Sequence, residues 1–120
     1  MNYISQWEEQ VMHKAIDHYG VEKQMCMVME ECCELAAEVN HYQRGGDENR
    51  LIGEIADVSI MLDQIILMID GINRVASARM DKLRRLRARI EREQAQELVS
   101  RTNSDVRATG FCEHEKLLLP

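Results

Sequence analysis

An all-α fold, four-helix bundle-like in plan, is what this sequence predicts, and three observations carry that expectation. Proline occurs once, at Pro120, so no helix in the body of the chain is broken by that route. Ala, Leu, Met, Glu, Arg and Gln dominate, and these residues lose little on entering a helix. Glycines at Gly20, Gly45-Gly46 and Gly71 divide the chain into four stretches of helical length. At 120 residues the chain suits one domain with a modest core.

The elements follow in order. Ser5-Gln6-Trp7-Glu8 fits a capping box, with Ser5 as N-cap and Glu8 reaching back to its N–H. The first helix then runs to about Tyr19, where Gly20 stops it. The second covers about residues 21–44. Gly45 and Gly46 permit a sharp turn, and Asp47 caps the third helix, about residues 48–70, which Gly71 punctuates. Val58, Ile60, Met61, Leu62, Ile65, Ile66, Leu67, Met68 and Ile69 nearly encircle that third helix. A helix apolar all round is buried, and four helices offer limited cover. Part of its surface is therefore expected against a second subunit. The fourth helix, about residues 73–99, has a narrow stripe of Leu83, Leu86 and Ile90 among arginines and reads as a surface helix. Periodicity fades from Ser100. The domain is accordingly read as residues 1–100, followed by a poorly ordered tail over residues 101–120.

Charge and cysteine content exclude several classes. The formal charge is −6, and only the stretch 79–92 is strongly basic, so a nucleic-acid polymer is not an expected partner. Cys26, Cys32, Cys33 and Cys112 have no zinc spacing, and the adjacent Cys32 and Cys33 suit a disulfide framework badly. Free thiols in a reducing cytoplasm are the simpler expectation. Met1 to Trp7 lacks a basic region followed by an apolar one, so no secretory signal is read there. The longest apolar run, residues 58–69, contains Asp63 and Gln64 and is too short to span a bilayer, so no membrane partner is expected.

Chemistry concentrates in two acidic pairs. Glu31/Glu34 and Glu54/Asp57 each place carboxylates three residues apart on a helix, where like charges oppose helix formation. A hard divalent cation such as Mg²⁺ takes oxygen ligands and offsets that repulsion. Glu34 lies roughly 16 Å from the Gly45 bend and Glu54 roughly 12 Å from Gly46 at the helical rise. If the second and third helices pack antiparallel, the two pairs sit at similar heights. The four carboxylates would then form an open cage for one or two Mg²⁺ ions. Such ions keep positions free for water and phosphate oxygens. Either pair alone reads as ordinary solvated decoration. The joint pattern carries the argument, with Asp57 placed at the edge of the apolar run.

Glu30-Glu31-Cys32-Cys33-Glu34, then 19 intervening residues, then Glu54-Ile55-Ala56-Asp57, resembles the EExxE…ExxD signature of MazG-like all-α nucleoside triphosphate pyrophosphohydrolases. The likeness extends from about Tyr19 to Ile90. It includes Tyr19-Gly20, Gln24, Leu35, Val58 and the basic segment Lys82-Leu83-Arg84-Arg85-Leu86. Outside the signature it is one of pattern. The resemblance implies Mg²⁺-dependent hydrolysis, sometimes Mn²⁺-dependent, of (deoxy)nucleoside triphosphates to monophosphate and pyrophosphate. It also implies a homodimer or homotetramer. Carried over, Glu31, Glu34, Glu54 and Asp57 would be metal ligands, and Glu30 a further ligand or a residue orienting the attacking water. The general base stays open among Glu30, Glu31 and Glu34. Lys82 and Arg85 are candidates for the β and γ phosphates, since Arg engages phosphate oxygens in bidentate fashion, and a solvated helix face is the bland alternative.

Two rival functions stand beside this one. One is a non-catalytic helical module whose oligomer interface is its function, with 79–92 docking an acidic partner. The other is a metal-dependent phosphohydrolase with a different substrate. Glu38 and His41 form half of a ferritin-like di-iron pattern whose second half is missing, and Cys112-Glu113-His114 is a weak metal pattern.

Overall fold

Ser5 starts the first helix as the capping box requires. Its hydroxyl accepts from the Glu8 N–H at 3.2 Å, and its own N–H donates to Glu8 Oε2 at 2.8 Å. The computed structural model describes residues 4–109, with α1 at Gln6–Tyr19, α2 at Val21–Gln43, α3 at Glu48–Met68 and α4 at Ile72–Thr109. There is no strand among the described residues, and no described helix is long and apolar enough to cross a membrane. The chain divides into two units, one ending at Ala76 and the other beginning at Ser77.

The first unit is built on the α2–α3 hairpin. Gly45 takes φ +89°, which an L side chain adopts only with strain. Gly46 brings its N–H to the His41 carbonyl at 2.9 Å, and a Cβ there would lie 2.8 Å from that oxygen. Asp47 then caps α3 by accepting from the Asn49 N–H at 2.9 Å. So short a turn leaves α2 and α3 as antiparallel neighbours. At the other end of α3 the left-handed residue is Asp70 (φ 50°) rather than Gly71. The buried Gly71 sends its N–H back to the Ile66 carbonyl, a Schellman-type closure.

The core is small. Val28, Val58 and Met61 fill the hairpin interface and Met12 packs in from α1, while no described side chain is fully buried. Between α2 and α3 the core also holds Gln24 and Gln64, both buried, with Gln24 Nε2 donating to Gln64 Oε1 at 2.7 Å. Gln64 Nε2 turns to Met61 Sδ at 3.7 Å. Buried amides are tolerated because they satisfy each other. Gln64→Leu therefore leaves the Gln24 amide unpaired and costs about 1–3 kcal/mol, whereas the double change to Leu costs less than the sum of the singles. Urea unfolding of the three variants measures both effects.

Asp63 sits half-buried on α3, and burial, reinforced by the Glu8 carboxylate, raises its pKa above the usual aspartate value. The folded chain thus holds the Asp63 proton more tightly than the unfolded chain. This favours folding below the ordinary Asp value, about pH 3.9, and the benefit is lost as pH rises through and above it. Asp63→Asn is expected to raise the melting temperature at pH 7 and to flatten this part of the pH profile.

α3 is not enclosed all round. Val58, Met61 and Gln64 face inward, while Ile52, Ile55, Leu62 and Ile69 remain 46–56% exposed. These four lie on one stripe, at spacings of three and seven residues.

The long helix α4 starts beside the α3 terminus, where Arg74 Nη2 donates to the Ile69 carbonyl at 2.6 Å. Its body belongs to the second unit and buries no side chain, as befits the surface helix expected there. It extends ten residues past Val99, so 101–109 is helical where the sequence reading placed a poorly ordered tail. The polar residues do not break the helix. The hydroxyls of Thr102, Ser104 and Thr109 donate back to carbonyls four residues earlier, and no glycine or proline intervenes before Gly110. Residues 110–120, with Cys112-Glu113-His114, lie outside the described residues.

Candidate metal centre

The inward stripe of α2 repeats at four and three residues: Gln24, Val28, Glu31, Leu35, Glu38. That of α3 runs Leu51, Glu54, Asp57/Val58, Met61, Gln64. In an antiparallel pair the Gln24–Gln64 contact fixes the register. One turn along come Val28 and Met61, and beyond them Glu31 meets Glu54 and Asp57. The carboxylates are thus carried inward by the same periodicity that builds the core.

One oxygen from each of Glu31, Glu54 and Asp57 lies within 4.8 Å of the others. Glu31 and Glu54 are partly shielded, and Asp57 is exposed at the rim. Glu31 Oε2 and Glu54 Oε2 are buried and have no hydrogen-bond partner. Buried carboxylate oxygens left without a donor are expensive, and these two face a third carboxylate as well. Both groups respond alike. Burial raises the Glu31 pKa first, and the charges of Glu34, Asp57 and Glu54 add to it. For Glu54, burial again leads, followed by Glu34, Asp57 and Glu38.

Of the residues singled out from sequence, Glu31, Glu54 and Asp57 are therefore brought together. Glu34 is exposed and outside this trio, yet it is the largest charge acting on both Glu31 and Glu54. Glu30 is exposed and is not among the convergent oxygens. Glu38 keeps 13% of its side chain accessible and meets His41 Nδ1 at 3.3 Å. Among the described residues, no Lys or Arg forms an ion pair with any of these six carboxylates.

Lys82 and Arg85 lie on α4 in the second unit. They are exposed, and with Arg89 and Arg92 they share one helix face at spacings of three and four residues. Lys82, Arg85 and Arg92 make no ion pair among the described residues, while Arg89 meets Glu93 at 4.0 Å.

The Gln24–Gln64 pair was not anticipated as a feature of the hairpin. Its signal was present: Gln24 stands seven residues before Glu31, and Gln64 seven after Asp57, so each shares a stripe with a cluster member. Cys26, Cys32 and Cys33 are free and exposed.

A cation of hard character fits the donor set: oxygen only, anionic, with two atoms buried and unsatisfied. No family model matches the chain, and no curated protein or solved structure matches it either.

Proposed function

We propose that this chain is a Mg²⁺-dependent hydrolase of (deoxy)nucleoside triphosphates that releases nucleoside monophosphate and pyrophosphate. The observation that carries the reading is the convergence of Glu31, Glu54 and Asp57, with two carboxylate oxygens buried and lacking any donor. The resemblance of the EExxE…ExxD spacing to MazG-like pyrophosphohydrolases selects the reaction from those a hard cation supports.

Glu31, Glu54 and Asp57 would hold Mg²⁺, or Mn²⁺, with Glu34 completing the set by a side-chain rotation from the adjacent turn. Bound there, the ion supplies Lewis-acid polarisation of phosphate oxygens and lowers the pKa of water. The chain's own groups do the rest. The charge of the acidic trio repels a triphosphate unless a cation neutralises it. A carboxylate among Glu30, Glu31 and Glu34 accepts the proton of the attacking water. The resemblance offers Lys82 and Arg85, on the second unit, as candidates for binding phosphate oxygens. The enzyme works as a homodimer or homotetramer in the cytoplasm, with the Ile52–Ile55–Leu62–Ile69 stripe covered in the assembly.

The test is product analysis. A panel of deoxynucleoside triphosphates with Mg²⁺ is expected to give pyrophosphate and monophosphate. Orthophosphate with diphosphate would assign a different phosphohydrolase to the same carboxylates. A folded protein that neither turns over nor binds metal would be a helical interaction module.

A further inference from the structure

The geometry points to Gln24 and Gln64 as positioning residues: a clasp at the open end of the α2–α3 hairpin that holds Glu31 in line with Glu54 and Asp57. Among the described residues theirs is the only hydrogen bond between side chains of two different helices, at 2.7 Å, and both amides are buried, at 5% and 4% exposure. In so small a core a buried polar pair adds little stability over an apolar pair of the same volume. The attested use of such a pair is to select one alignment of two helices, because a hydrogen bond has direction and apolar contact does not.

The hairpin has need of one. The Gly45-Gly46 turn ties α2 to α3 at one end. Gln24 lies roughly 32 Å along α2 from that turn and Gln64 roughly 27 Å along α3, so the turn alone leaves the far end free to splay or roll. Glu31 and Asp57 stand between the two ties, roughly 21 and 17 Å from the turn. The carboxylates of the trio carry like charge and, without a cation, push the two helices apart. Apolar packing does not choose the alignment that brings them together. Val58, Met61 and Ile65 recur at three and four residues on α3, so Val28 finds an apolar partner in more than one setting. Gln24 finds an amide in one only, since Met61 and Met68 stand one turn to either side of Gln64. Seven residues separate Gln24 from Glu31 on α2, and seven separate Asp57 from Gln64 on α3. Two turns of helix on each side thus carry the alignment of the amides over to the carboxylates. The clasp itself needs no cation; its effect on metal binding rests on the function proposed above.

Distances between spin labels test the alignment. With Cys26, Cys32 and Cys112 changed to Ser, nitroxides are placed on the native Cys33 of α2 and on Ser59→Cys of α3, both exposed positions. Every carboxylate stays in place. The metal-free full chain, diluted with unlabelled protein, is expected to give one narrow distance distribution by pulsed dipolar EPR. Gln24→Met with Gln64→Met keeps the length of both side chains and removes the hydrogen bond. This variant is expected to shift and broaden the distribution while its helical circular dichroism is retained. Gln24→Leu with Gln64→Leu is the second variant, with the same expected result. In the unlabelled Met variant, Mn²⁺ binding should weaken by at least about ten-fold, as when a metal ligand loses the partner that orients it. An unchanged distribution in either folded variant would overturn the inference, since a pair that serves stability alone moves the melting temperature and not the alignment of the folded chain. If the wild type binds no Mn²⁺ and the variants still broaden the distribution, the clasp stands and the cation reading falls.

Discussion

Glu54→Gln is expected to lower Mg²⁺-dependent pyrophosphate release by at least about 100-fold while raising the melting temperature of the metal-free protein. The two effects have one cause. Glu54 Oε2 is buried without a donor, and the carboxyl is repelled by Glu34, Asp57 and Glu38. Without metal, neutralising it removes a destabilising charge. With metal, the same change removes a ligand. Loss of an outer-shell partner alone costs 10–100-fold in many metal sites, so direct ligand loss should cost more. Asp57→Asn and Glu31→Gln should behave in the same way. Glu30→Gln, at an exposed position outside the trio, should not stabilise the metal-free chain. A surface carboxylate of no function predicts neither effect, and a purely structural one predicts destabilisation.

Mg²⁺ itself is expected to stabilise the fold, and the size of the effect should depend on pH. An ion that binds only the folded state adds about 2.7 kcal/mol at 100 times its Kd. The sign of the pH dependence follows from the raised pKa values of Glu31 and Glu54. In the metal-free protein these carboxyls keep their protons more readily when folded than when unfolded. Their contribution therefore favours folding below the ordinary Glu value, about pH 4.3, and is lost as pH rises through and above it. A bound cation needs the deprotonated forms, so Mg²⁺ stabilisation grows over the same window. Melting curves from pH 4 to 8, with and without Mg²⁺, should diverge upward. In the Glu31→Gln, Glu54→Gln double variant the two curves should coincide.

Much of the hairpin was legible in sequence because its signals are local. Ser5 with Glu8, Gly20, Gly45-Gly46 and Asp47 each act within a turn of their own position, and the structure places helix ends at each of them. The convergence of Glu31 with Glu54 and Asp57 was legible for a related reason: equal distance from a tight bend becomes equal height when the helices are antiparallel. Glu34 was harder to place, since it lies three residues from Glu31 and so to one side of the stripe that faces α3. The end of α4 was misread because loss of apolar periodicity was taken for loss of helix. Periodicity reports a buried face, and a helix with no buried face does not need it. The exposed stripe of α3 belongs to the same lesson. Composition showed a helix apolar all round, but which side α2 and α1 would leave uncovered depends on packing between elements far apart in sequence.

The most direct test is Mn²⁺ soaked into crystals of the protein, located by its anomalous scattering. A peak bounded by carboxylate oxygens of Glu31, Glu54 and Asp57, at roughly 2.1–2.3 Å and absent from Glu54→Gln crystals, is the predicted result. No peak at the hairpin at millimolar Mn²⁺, with Glu31 and Glu54 turned to solvent or paired with protein cations, would contradict it.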